Sequence, residues 1–285
     1  MSGAVTIAAY GLRESMRRRV FLVVLLLTIG FLVLYGVGAN AAFDSINAEA
    51  AGAAFDVDDQ VLTGSTLLGL AMFTTLFLGC VLAVFLTLGA VRGDAERGLL
   101  QPLVVRPLGR TALLGGRFLA AAGVCALYVG SVYTAAVVIT GLAGGWWPED
   151  PVGPGVALIA GVILIAALSL LGSIFLSATA NGIAVFMAFG AGLAAGLLGQ
   201  IGDALNVDTL KNIAKIASWA LPFEALYQGG LDSLTAGAEG TTAVIVQLGP
   251  FGGAQEAGPL LWPWTVVYLG LVALAARTAF ARRDL

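Results

Sequence analysis

Histidine is absent from this chain of 285 residues. That removes the commonest metal ligand and the usual general base. Cysteine is nearly absent as well: Cys80 and Cys125 are the two present, both inside apolar runs, and no CxxC pair exists. They read as small buried hydrophobes rather than as a disulfide framework or a metal site. Charge is scarce, with Asp, Glu, Lys and Arg making up 11% of the chain, against about a quarter in an ordinary soluble domain. The only lysines, Lys211 and Lys215, are followed by Asn212 and Ile216, so no GxxxxGK[ST] phosphate loop is present.

Inside the long apolar runs, away from their ends, there is no Asp, Glu, Lys, Arg or His. Ser–His hydrolysis within a membrane, His-ligated metalloproteolysis and a charged channel filter cannot be built from such spans. Buried ionisable groups of the kind that proton- and sodium-coupled transporters usually need are missing from them. The basic residues are spread over three short segments, so nucleic acid is not an expected partner.

What the chain has is apolar length. Hydrophobic residues make up 59% of it, and six long apolar runs lie near 20–38, 66–91, 112–142, 152–179, 182–202 and 262–281. About 20 residues of helix cover a hydrocarbon core of roughly 30 Å. The expected fold is therefore an all-α integral membrane protein with six transmembrane helices, forming one domain over 1–285. The longer second to fourth runs should tilt or project.

Twelve of the 14 Lys and Arg residues flank alternate ends of these runs, and the other ends carry the two lysines and most of the acids. Cations beside spans favour the cytoplasmic face, which places both termini inside and the protein in the inner or plasma membrane. Arg18-Arg19-Val20-Phe21-Leu22 is reminiscent of an export signal, but the run Val20 to Gly38 is 19 residues long. A signal core has about 7–15, so an uncleaved first span is expected.

In the N-terminal stretch Val5, Ala8, Ala9, Leu12 and Met16 form one helical face, with Arg13, Arg17, Arg18 and Arg19 on the other. This predicts an interfacial amphipathic helix; the plainer alternative is a stop-transfer flank. The Ala39–Ser65 loop holds Asp44, Glu49, Asp56, Asp58 and Asp59 and no base. It reads as a solvated external loop, because its spacing does not match an EF-hand. The Gly144–Pro151 turn, with Trp146 and Trp147, is expected at the external headgroup level. The region 203–261 is expected to be external, with one or two helices lying at the surface.

Small residues mark two spans. Gly192 and Gly196 form a GxxxG, and Ser169, Ser173 and Ser177 recur every four residues. Such residues let helices approach closely and bond across one another. The serines read first as packing residues; the alternative reading is that they line a translocation path.

Between the second and third runs, at 92–111, lies an elbow. Leu99, Leu100, Leu103 and Val104 make a short apolar stripe at helical spacing, preceded by charges and stopped by Arg106-Pro107. A short amphipathic helix held between two spans can dock in a partner's groove and pass rigid-body motion to both. Pro102 either opens this helix, which then starts near Gln101, or kinks it. With no nucleotide loop in the chain, an ATP-driven engine would have to be a separate polypeptide on the cytoplasmic side.

Three places carry a family resemblance: the stretch ending in Arg17-Arg18-Arg19, the segment Gly93-Asp94-Ala95-Glu96-Arg97-Gly98 through Arg106-Pro107-Leu108-Gly109-Arg110, and the ending Phe280-Ala281-Arg282-Arg283-Asp284-Leu285. With the span pattern, they make the chain resemble the six-span permeases of ABC-2-type ABC transporters. The resemblance implies an export role and a cytoplasmic coupling helix contacting a soluble ABC ATPase subunit. It places Asp94, Glu96 and Arg97 in the coupling region, with Glu96 foremost (or else a helix cap or local ion-pair partner of Arg92 or Arg97), and the elbow's Leu99, Leu100, Leu103 and Arg106 complete the candidate coupling residues. A second permease copy or a paralogue and membrane lipid complete the expected partners. No cofactor or metal is expected on this chain, and ATP and Mg2+ would sit on the ATPase. A membrane scaffold that anchors a partner complex is the rival reading.

Overall fold

The computed structural model describes residues 19–49, 58–88, 110–235 and 258–282. Eight helices occupy them: α1 (Arg19–Glu49), α2 (Asp59–Thr87), α3 (Arg110–Gly144), α4 (Gly153–Phe175), α5 (Ala178–Leu205), α6 (Asp208–Ala220), α7 (Pro222–Thr235) and α8 (Leu261–Ala281). No strand occurs among the described residues. Six helices, α1 to α5 and α8, are long and apolar enough to cross a membrane. The protein is thus an all-helical, multi-pass membrane protein, as its apolar runs predict. The interfacial helix expected before Arg19 and the helix expected in the elbow lie outside the described residues.

Alternating helix direction gives the bundle two faces. The elbow face gathers Thr87, Arg110, Phe175, Ala178 and Ala281; the acid-loop face gathers Glu49, Asp59, Gly144, Gly153, Leu205 and Leu261. Aspartates start two of the helices on the acid-loop face, α2 and α4. Asp58 Oδ1 accepts from the backbone N–H of Gln60 at 3.1 Å and of Val61 at 3.2 Å, supplying partners for donors that the first turn of α2 leaves open. Asp150 Oδ1 accepts from Val152 and Gly153 N–H at 3.0 and 2.9 Å, and Pro154 stands in the first turn of α4, where its missing N–H costs nothing.

The first helix runs on to Glu49, through residues that the sequence reading gave to the external loop. Phe43 explains the extension: it is buried, and its ring lies against Gly144 at the end of α3. At the same end Trp146 covers Gly64 and Trp147 covers Gly141. Both cysteines are free and buried, as expected. Helix α4 stands in the middle, touching α2, α3, α5, α7 and α8.

Helix α7 departs from the surface position expected for the region after α5, whereas α6 has no buried residue. Helix α5 ends at Asn206, which takes a left-handed conformation (φ 53°) and is the only non-glycine residue with positive φ among those described. Val207 N–H donates back to Gly202 O at 2.9 Å and Asn206 N–H to Asp203 O at 3.4 Å, closing the helix end as a Schellman motif. The chain then folds back along α5 as α6, with Leu210 and Lys211 close over Gly202. After the turn at Leu221 it returns as α7, which packs chiefly on α4. Pro222, Phe223, Leu226, Tyr227, Leu231 and Leu234 of α7 are buried. So α6 and α7 form a hairpin that enters the bundle from the acid-loop face and goes back out. A helix apolar over so much of its surface gains by burial among other helices rather than by lying at an interface.

Candidate functional site

A hydroxyl inside an apolar bundle needs a partner, and the nearest is its own helix's carbonyl four residues back. Thr75 Oγ1 donates to Ala71 O in this way at 2.7 Å. Other polar groups bond between helices: Thr28 Oγ1 and Tyr128 Oη share a hydrogen bond of 2.5 Å, and so do Tyr35 Oη and Thr140 Oγ1. These pairs tie α1 to α3. Two further polar clusters are fully enclosed, one on each side of the bundle.

The first stands at the elbow face. Thr87, the last residue of α2, donates to Ser169 Oγ of α4 at 2.6 Å. Asn181, in the first turn of α5, donates its Nδ2 to Ser169 O at 2.9 Å and to Ser169 Oγ at 3.3 Å. Ser169 and Asn181 are both 0% exposed. The Asn181 side chain fills the space over Gly172, and its Oδ1 has no partner. Immediately after Asn181, Gly182 lets Leu88 and Val84 close on α5. The end of α2, which is the root of the elbow, and the start of α5 are thereby bound to α4 in one polar joint.

The second cluster is in the hairpin. Gly161 of α4 and Gly192 of α5 form a slot that holds Phe223, whose ring stacks on Phe189 at a centroid distance of 5.6 Å. One turn beyond Gly192, Gly196 lies against the Glu224 carboxyl and the Gln228 amide. Glu224 is 5% exposed and Gln228 is 8% exposed. Gln228 hydrogen-bonds the Glu224 carboxyl, yet Glu224 Oε1 and Gln228 Oε1 are both left without partners. Burial raises the Glu224 pKa from its ordinary 4.5 to about 7, against the lowering effect of the Gln228 bond. The hairpin tip is held from α8: Trp264 Nε1 donates to Trp219 O at 3.0 Å and Tyr268 Oη to Ala220 O at 2.8 Å. These are the carbonyls that the last turn of α6 leaves open.

The residues expected to carry function fall in different places. Asp94, Glu96, Arg97, Leu99, Leu100, Leu103 and Arg106 lie outside the described residues, as do Arg13, Arg17 and Arg18; Arg19 begins α1. Of the serine row, Ser169 and Ser173 are buried at helix contacts, with Ser173 donating to Leu170 O at 2.7 Å. Ser177 is exposed between α4 and α5. The GxxxG of Gly192 and Gly196 does bring helices together, and the helix it receives is α7 rather than another span.

Sequence reasoning missed Thr87, Asn181 and Glu224. Glu224 had a visible signal. It is the one acid in Trp219-Ala220-Leu221-Pro222-Phe223-Glu224-Ala225-Leu226-Tyr227, a stretch otherwise fit for a membrane interior. Thr87 and Asn181 carried no signal beyond being polar residues near the ends of apolar runs.

No group of three or more His, Cys, Asp or Glu side chains able to hold a metal occurs among the described residues. A family model described as ABC-2 family transporter protein matches residues 5–285. No curated protein matches the chain.

Proposed function

Because the chain belongs to the ABC-2 family of transporter proteins, we propose that it is the permease subunit of an ATP-driven exporter. It pairs with a second copy or a paralogue, and a separate soluble ATPase binds ATP and Mg2+ and docks on the elbow. The elbow face is cytoplasmic and the acid-loop face external, in the inner or plasma membrane, following the bias of cations beside spans. The observation that carries this reading is the family match over 5–285 on a bundle of six span-length helices.

The polar joint supports a role for the elbow in coupling. A push on residues 92–111 reaches α2 at Thr87 and α3 at Arg110. From Thr87 the hydrogen bonds to Ser169 and Asn181 hand it to α4 and α5. Packed helices move as rigid bodies between discrete arrangements, so a small displacement at the elbow becomes a shift of the bundle. ATP binding closes the ATPases and biases that equilibrium.

The test is co-purification of the tagged chain with a soluble ATPase from its native membrane, followed by reconstitution. A Glu96→Ala chain that still inserts is expected to lose stimulation of ATP hydrolysis. If the chain moves cargo alone on an ion gradient, the reading fails.

A further inference from the structure

Glu224 sits where the bundle should carry no charge. Its carboxyl is enclosed by Gly196, Gln228 and the slot that holds Phe223. The described part of α4, the helix that α7 mainly packs on, contains no charged residue. Helix α5 offers only Asp203 near its outer end, where Lys211 of α6 pairs with it at 3.2 Å. The remaining charges of α6 are Asp208 and Lys215; α2 brings Asp59 and α8 brings Arg277, at opposite faces of the bundle. On α7 the neighbouring titratable groups are Tyr227, held above its ordinary range by burial and by the Glu224 charge, and Asp232.

A carboxylate enclosed in this way keeps none of the solvation that a charge requires, and neutralisation by a proton is the ordinary outcome. The hydrogen-bond inventory points the same way. Glu224 Oε1 and Gln228 Oε1 are both unpartnered acceptors while the carboxyl is ionised. A proton on Oε1 turns one of them into a donor.

We propose that Glu224 and Gln228 form a proton-binding site, and that the α6–α7 hairpin is seated in the bundle only while Glu224 holds its proton. Binding is simple protonation of the carboxylate. On release, the charged group must reach water, and it can do so only by withdrawing from Gly196 and drawing Phe223 out of its slot. The sign follows from the raised pKa: between about 4.5 and about 7 the seated state binds the proton that the released state has lost. The seat is therefore firmest below about 4.5, weakens as pH rises from there to about 7, and changes no further above it. This inference does not depend on an ATPase partner.

The experiment uses the full chain in lipid nanodiscs. Infrared spectra with isotope-labelled glutamate are recorded at about pH 6, where exposed carboxylates are ionised. A carboxylic-acid carbonyl band is expected, fading as pH rises through about 7. Hydrogen exchange of the α7 peptide, corrected for the intrinsic rate, should lose protection by up to about tenfold per pH unit between about 4.5 and about 7 and level off above that. Glu224→Gln should remove the band and keep α7 protected at every pH. The wild-type spectra decide even if that variant does not fold: absence of the acid band at about pH 6 overturns the proposal. So does an α7 protection profile that is flat with pH, or that is the same in wild type and Glu224→Gln.

Discussion

At the scale of single residues, function and packing divide along the glycines. Gly190 and Gly192 are two positions apart on α5 but face different things. A Cβ at Gly190 meets nothing within 4 Å, whereas one at Gly192 comes to 2.6 Å from the tip of the Phe223 ring. Gly190→Ala should thus leave the melting temperature unchanged or raise it, since alanine suits a helix better by about 1 kcal/mol. Gly192→Ala should lower it, because overpacking a fitted slot costs about 1–3 kcal/mol. Thermal unfolding of the two variants in the same detergent checks the pair, and equal effects would mean that Phe223 does not occupy the slot. The elbow-face joint makes a second prediction at this scale. Asn181→Ala removes two donated bonds to Ser169, and a hydrogen bond between membrane helices is worth roughly 0.6 to 1.7 kcal/mol. A modest loss of stability is expected. The measurement specific to the joint is ATPase stimulation per inserted chain, which should fall further than stability does.

At the scale of elements, the hairpin is the part whose place was not legible beforehand. Its two helices are individually too short to span, and α6 has no buried residue in its own right. Sequence windows therefore average it into a polar surface region. Its burial comes from outside it: Gly161, Gly192 and Gly196 make room, and Trp264 and Tyr268 satisfy the tip carbonyls. The Gly192–Gly196 pattern announced a close approach, but nothing local says which helix approaches. Trp264→Phe and Tyr268→Phe each remove one donor, at about 0.5–1.5 kcal/mol net. Hydrogen exchange should then rise at Trp219–Leu221 first, with α4 unaffected. An unchanged tip in the double variant would show that α8 does not hold the hairpin.

At the scale of the whole molecule, sidedness is the property on which the functional reading turns. Cys80 and Cys125 are both buried, so thiol labelling from outside reports chiefly an introduced cysteine. In sealed cells Glu149→Cys should react with a membrane-impermeant reagent and Arg97→Cys should not, until the membrane is opened. The reverse pattern would put the elbow outside, where no cytosolic ATPase could reach it.

The number of membrane-crossing helices and the segregation of charge were determined by the sequence alone. Both are sums over local windows: twenty apolar residues make a span whatever surrounds them, and a cation beside a span biases its side. The seat of the hairpin, the enclosure of Glu224 and the joining of Thr87, Ser169 and Asn181 were decided only by tertiary structure. Each depends on which surfaces meet across long stretches of chain. A carboxylate is costly or harmless according to what packs on it, and that is a property of the neighbours rather than of the residue.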